Sequence, residues 1–243
     1  MDVRRYVTRD EMGRAAATAV ARAMRAAISA KGGVRMIFAS APSQQEMLDA
    51  LAEEPGIDWS KVTAFHMDEY HTLPEDAPQR FGPWLQRVLF DRVRVGTVHL
   101  MRPTADGDDC IRDYTRLLAE APIDIVCCGI GVNGHLAFND PPVADFGDPV
   151  DVKVIELDPI CRQQQLEDGG FESLDDVPRT ALTLTIPRLL RAETIVCVVP
   201  GPMKREAVRR TLNDPIGEAC PATALRRHPD CTLYVDADSL PQA

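Results

Sequence analysis

The chain has 243 residues, 45% of them hydrophobic and 26% charged, enough apolar side chain to bury most of its unfolded surface around one core. A formal net charge of -10 excludes the broad basic surface that a nucleic-acid backbone selects, so any anion recognised here must be met locally. Seven cysteines without a spaced motif suit reduced thiols and a cytoplasmic setting, and neither a secretion-type apolar segment in MDVRRYVTRDEMG nor a bilayer-length apolar run occurs, so no membrane partner is expected.

Thr8 followed by Glu11 has capping-box spacing and predicts a long helix through the Ala-rich stretch that ends at Gly32-Gly33. Val34 to Ala39 reads as a buried strand. Ser43 with Glu46 repeats the capping-box spacing at the head of a helix that Pro55-Gly56 stops, and Val62 to Phe65 is again an apolar strand, which completes a β-α-β unit. The pattern then predicts a helix over Trp84 to Phe90, extended chain at Val98 to Leu100, a helix from Cys110 to Leu118 and a strand from Ile123 to Cys128. It resumes with extended Ala181 to Ile186, a short helix opened by Pro187, a strand over Thr194 to Val199, a helix from about Met203 and a last strand from Cys231 to Val235. Strands interleaved with helices imply an α/β fold whose mainly parallel sheet is covered on both faces. Pro141 to Asp176, rich in Asp, Gly and Gln, is expected to form a mobile insertion or lid rather than core, within a single domain spanning 1–243.

In open parallel sheets ligands bind beyond the carboxyl ends of the strands, which directs attention to four strand-to-helix junctions. The first, Ala39-Ser40-Ala41-Pro42-Ser43, offers hydroxyls and free backbone N–H groups at a helix start, where an anion such as phosphate is attracted; a plain N-cap role for Ser43 is the alternative. The second, His66-Met67-Asp68-Glu69-Tyr70-His71, places two carboxylates and two imidazoles at a strand end. An Asp withdrawn from water beside a second carboxylate has the raised pKa that acid–base work needs. The two histidines are five apart and do not make the i, i+4 zinc pair, so no metal is expected, and a solvated polar turn is the bland reading.

The third junction runs from Gly129-Ile-Gly131-Val-Asn133-Gly134-His135 to Asn139-Asp140-Pro141-Pro142 and contains G-x-G-x-x-G. Because Pro141-Pro142 stops any helix almost at once, the dinucleotide reading is set aside. The glycines instead allow close backbone approach to a ligand, with His135 and Asp140 as an imidazole–carboxylate pair, although a histidine merely satisfied by a loop carbonyl is the simpler alternative. The fourth, Pro200-Gly201-Pro202-Met203-Lys204, puts a lysine in a first helical turn, where it opposes the helix dipole unless an anion sits between, or else stays solvated. No G-x-S-x-G elbow for acyl transfer is present.

The blocks FHMDEYHTLP, GIGVNGHLAFNDP, ALTLTIPRLLRAETIVCVVPGPMK and PATALRRHPDCTLYVD occur in the order of, and resemble, those of the glucosamine-6-phosphate deaminases, over nearly the whole chain. The resemblance implies a three-layer α/β/α fold with a modified Rossmann-like sheet, shared with 6-phosphogluconolactonases and ribose-5-phosphate isomerases, a sugar-phosphate substrate, catalysis without metal or organic cofactor, and a homo-oligomer. By position it makes Asp68 the base that shuttles a proton between C1 and C2 of the opened sugar, supported by Glu69. It gives His135, with Asp140 and Asn133, the ring-opening role, and Ser40, Ser43 and Lys204 the 6-phosphate. Three departures stand out. SAPSQQ replaces the family's glycine- and threonine-rich phosphate loop. Asn133 and Asp140 stand where the family has Asp and usually Glu, which leaves the ring-opening group one charge fewer and a shorter reach. The lid arginine has only Arg162, out of register. A lactonase using the histidine as base and a non-catalytic sugar-phosphate sensor are the competing readings, and the MDEY and FNDP blocks favour the isomerase.

Overall fold

The computed structural model describes residues 1–103 and 108–241. Thr8 accepts from the Glu11 N–H while the Glu11 carboxylate accepts from the Thr8 N–H, the expected capping box, and helix α1 (Arg9–Lys31) follows, ending where Gly32 turns left-handed at φ 79. Strand β1 (Asp2–Arg5) precedes it, too short and too polar to signal itself. The chain continues through β2 (Val34–Phe38), α2 (Gln45–Glu53), β3 (Val62–His66), β4 (Asp68–Tyr70), α3 (Phe81–Leu85), a π-helical turn over Gln86–Phe90, α4 (Asp91–Val93), β5 (Thr97–His99) and α5 (Asp108–Ala119). After β6 (Ile125–Cys128) come β7 (Val152–Glu156), α6 (Pro159–Glu167), β8 (Thr180–Leu184), α7 (Ile186–Leu190), β9 (Thr194–Val199), α8 (Arg205–Asn213) and β10 (Cys231–Val235).

Seven strands form one parallel sheet in the order β1-β10-β9-β6-β2-β3-β5. Its central strands are predominantly apolar because both faces are covered, although Arg35 interrupts β2. Val34, Met36 and Phe38 of β2 pack with Ile125, Cys127, Val196 and Val198 under α1 and α2, while Ile37, Val126, Cys128, Ile195 and Cys197 face α5 and α8. From β2 the chain builds outward through β3 and β5, then returns to place β6 on the other side of β2. That reversal opens a crevice at the carboxyl ends of the central strands.

One expectation fails and a second is incomplete. Ser43 and Glu46 form no capping box: Pro42 opens a 3-10 turn over Pro42–Gln44, Gln44 becomes the residue before α2 and makes no side-chain cap, and Glu46 instead pairs with Arg9 at 2.5 Å. The Pro141 to Asp176 stretch is not merely insertion. Its β7 joins β8 and β4 in a three-stranded antiparallel sheet, and its Ile155, Leu157 and Cys161 are buried with Tyr70, Phe138 and Ala181 in a third apolar cluster. The signal was weak because β7 is an edge strand with half its side chains outward and α6 carries three consecutive glutamines.

Candidate active site

The four junctions follow β2, β3, β6 and β9, four strands that lie side by side, so the topology brings their ends to one place. A cavity of about 220 Å³ opens there, lined by Ser40, Ala41, Ser43 and Lys204 together with Asp68, Gly129, Gly131 and His135. Glu69, Asn133, Gly134 and Asp140 do not line it and stand behind those residues.

Period-two alternation in β4 separates the two carboxylates: Asp68 faces the cavity and Glu69 turns into the protein. Glu69 is fully buried, and its oxygens accept from the N–H groups of Tyr70 at 2.9 Å, Phe81 at 3.2 Å and Gly82 at 3.0 Å, so this carboxylate caps the amino end of α3. Burial pushes Glu69 up to about 7 against those three donors and the Arg80 guanidinium. Asp68 is held well above the usual carboxylate range, first by burial and then by the neighbouring Glu69 charge. A carboxyl so placed gives up its proton with difficulty and, once ionised, is a strong base. His66 is a core histidine: its Nε2 accepts from the Met101 N–H at 2.7 Å and burial lowers it to about 3, leaving it neutral.

The loop after β6 makes two tight turns instead of a helix. Gly134 stands at φ 89, and a Cβ at Gly131 would lie 2.1 Å from the His135 ring, so only glycine lets the imidazole pack flat on the loop. His135 Nδ1 lies 2.8 Å from Asp140 Oδ1, within hydrogen-bond and ion-pair reach. Asn133 ties the set together, donating from Nδ2 to Asp140 Oδ1 at 2.8 Å and accepting the His135 N–H at 3.1 Å. Burial opposes the Asp140 charge, yet His135 and Asn133 overcome it and hold this carboxyl below its ordinary value. The shorter side chain at position 140 therefore does reach the imidazole.

At the other end Ser40 is buried with no partner for its hydroxyl oxygen, and Lys204, at the head of the β9–α8 junction, makes no ion pair among the described residues. Burial lowers Lys204 to about 8, with the Asp168 charge working in the opposite direction. An unpaired hydroxyl after β2 and an unpaired ammonium after β9, two strands separated only by β6, are what an incoming anion would satisfy.

Several lining residues escaped the motif reading. Gln164, Gln165, Asp168 and Phe171 come over the cavity from α6 and its following loop. Gln164 accepts the Val132 N–H at 2.9 Å and Gln165 accepts the Tyr70 hydroxyl at 2.9 Å, which fastens the segment to both the glycine loop and β4. Arg162 instead donates to carbonyls of its own segment, including Val177 at 2.9 Å, and does not line the cavity. Among the described residues one set has metal-ligand chemistry: donor atoms of His135, Asp140 and Cys161 lie within 4.8 Å of one another. Ligands of one tetrahedral ion stand about 3.3 Å apart. The 2.8 Å between His135 and Asp140 is closer than that, and burial keeps the Cys161 thiol protonated, so we read the set as a shell behind the imidazole.

Comparison with known proteins agrees with this architecture. The family model described as glucosamine-6-phosphate isomerases/6-phosphogluconolactonase matches residues 7–141. A glucosamine-6-phosphate deaminase of Bacillus thuringiensis (strain Al Hakam) is 36% identical over 186 residues, 76% of this chain and 69% of its own, and one of Bacillus anthracis (strain CDC 684 / NRRL 3495) matches equally. Among solved structures, a monomeric glucosamine-6-phosphate deaminase superposes with a TM-score of 0.89 at 27% identity, over 98% of each chain. A 6-phosphogluconolactonase from Thermotoga maritima shares the fold, with a TM-score of 0.77 at 20% identity over 97% of this chain and 100% of the other.

Proposed function

Because the chain belongs to the glucosamine-6-phosphate isomerase/6-phosphogluconolactonase family, we propose that it is an enzyme converting glucosamine 6-phosphate, or a related hexosamine 6-phosphate, to fructose 6-phosphate and ammonia. The observation that carries this reading is the meeting, in one cavity, of a carboxyl held ready as a base, an imidazole backed by a carboxylate, and an unpaired hydroxyl–ammonium end.

In this reading Ser40, Ser43, the Ala41 backbone and Lys204 grip the phosphate, which takes no part in bond making, and its binding energy orients the small flexible sugar. His135, protonated and backed by Asp140, gives a proton to the ring oxygen as the C1–O bond breaks. Asp68 takes the C2 proton. The C–H electron pair becomes the C1–C2 double bond while the C1 carbonyl π pair moves onto its oxygen, which takes up a proton to give an enol-type intermediate, and the same carboxyl returns its proton to C1. Water then adds at C2 and ammonia leaves, so the sum is one water consumed and one ammonia released. Gly129, Gly131 and Gly134 shape the loop beside the sugar, and Glu69 acts on Asp68 from behind. The lid role falls to 141–176, of which Gln164, Gln165, Asp168 and Phe171 line the cavity.

The test is ammonia release from a panel of hexosamine 6-phosphates, with 6-phosphogluconolactone hydrolysis measured on the same preparation. Lactone turnover without ammonia would move the chain to the hydrolase branch of the family; saturable binding without either would leave a sensor. A cytoplasmic homo-oligomer is the setting proposed from the resemblance. Sedimentation measures that assembly directly.

A further inference from the structure

Arg80 is buried, 5% exposed, and does not line the cavity. A buried guanidinium is costly unless its N–H groups find partners. Here Nε donates to the Pro74 carbonyl at 2.7 Å, Nη1 to the Tyr70 carbonyl at 3.3 Å and Nη2 to the Leu73 carbonyl, so one side chain ties down the whole turn by which the chain leaves β4. The same Nη1 stands 3.9 Å from Glu69 Oε1, and the Arg80 residue is itself the N-cap of α3, whose first N–H groups Glu69 accepts. Three elements meet on this contact: the strand carrying Asp68, the turn after it, and the helix that places Phe81 and Trp84 in the cavity wall.

Glu69 is faced by Asp68 on its own strand, by His66 of β3, by Tyr114 and Cys110 of α5, and by Arg80. His66 is neutral and both Tyr114 and Cys110 are held protonated by burial, so among the described residues Arg80 supplies the positive charge at this carboxylate. We propose that Arg80 is a positioning residue for the proton transfer at Asp68, acting through the Glu69 carboxylate and the turn over 70–74. The inference rests on the deaminase reading and adds to it a residue outside the cavity. The guanidinium opposes the burial that raises Glu69, and Glu69 as an anion raises Asp68. Without the guanidinium Glu69 keeps its proton to higher pH, and over that range Asp68 loses the charge that raises it.

The experiment is the pH dependence of kcat/KM for ammonia release by wild type, Arg80→Met and Arg80→Lys. Arg80→Met should move the acid limb to lower pH by about one unit, as removal of a like charge does. It should also cut plateau kcat about tenfold, since the weaker base lies lower on a Brønsted line, and leave KM within about twofold because the anion end is untouched. Arg80→Lys restores the charge without the three-carbonyl grip, so its limb should return towards wild type while kcat recovers only in part. A wild-type limb in Arg80→Met, with the loss confined to melting temperature or to KM, overturns the proposal and leaves Arg80 a structural rivet. Should Arg80→Met not fold, Glu69→Gln carries the test: a permanently neutral residue 69 must give the same downward shift, and an unmoved limb overturns the role. A wild type that releases no ammonia removes the reaction and this role together, whereas an active wild type with an unmoved limb removes the role alone.

Discussion

Asp68→Asn separates chemistry from folding. Asparagine keeps the shape of the side chain but cannot accept the C2 proton, and a positioned base is worth about 10²–10⁴-fold in rate, or about 3–5 kcal/mol of barrier. The structure sets the sign of the stability effect. Asp68 is buried, and its carboxyl is raised by burial and then by Glu69, so its ionised form is the unfavourable one in the folded state. A raised carboxyl contributes stability that is fully present below its unfolded pKa of about 3.9 and is lost as pH rises through the folded value. As pH rises the wild type loses that contribution, and asparagine, which never ionises, does not. Coupled ammonia assays and thermal melts between pH 5 and 8 should therefore show kcat down by about 10²–10⁴-fold in Asp68→Asn with a melting temperature equal to or above wild type, the gap widening as pH rises. Near-wild kcat, or a melting temperature that falls with pH faster than wild type, would refute the assignment of Asp68 as the base.

Lys204→Met should raise KM about ten- to a hundredfold with a smaller change in kcat, since a charge-assisted hydrogen bond to a non-reacting anion is worth about 1.5–3 kcal/mol. In wild type, kcat/KM should decline above about pH 8 as the half-buried ammonium deprotonates, and the variant should lose that decline; a pH-independent wild type in this range would place the anion elsewhere. Gly131→Ala drives a methyl to within 2.1 Å of the His135 ring, so the imidazole must move. A displacement of about 1 Å costs on the order of 10²-fold. The loss should appear in kcat, with inorganic phosphate still competing as in wild type; equal kcat would show that His135 is not a reacting group.

The central sheet was legible because its strands are covered on both faces, which leaves Ile125 to Cys128 and Thr194 to Val199 as short apolar runs and Val34 to Phe38 apolar but for Arg35. The cavity-lining groups were legible for a topological reason: each follows a strand, and adjacent parallel strands end together. Sequence position could not show which way a side chain points. Asp68 and Glu69 read as one pair of carboxylates, yet strand alternation sends the first to the cavity and the second to the head of α3. Ser43 and Glu46 had capping-box spacing, but Pro42 tightened the turn before them and Arg9 took the glutamate. Gln164 and Phe171 carried no motif because their place depends on an edge sheet assembled from β4, β7 and β8, whose partners are far apart in the chain.

Positions 133 and 140, which looked like two separate losses, compensate each other. The Asn133 amide donates to the Asp140 oxygen that faces His135, so one carboxylate serves the imidazole and its orientation is fixed by a neutral donor. An aspartate at 133 would set two carboxylates about 2.8 Å apart, one of them fully buried, and both could not ionise. Asn133→Asp should therefore fold best in acid. The new carboxyl has its folded pKa raised, so the stability of its protonated form is complete below about pH 3.9 and is lost as pH rises. Its melting temperature should approach wild type near pH 4.5 and fall below it by several degrees at pH 8, about 4 °C or less per kcal/mol for a chain of this size. The shared proton should also hold His135 less firmly and lower kcat. A variant as stable as wild type at pH 8 and equally active would mean that the Asn133–Asp140 contact does not set the charge of the imidazole's partner.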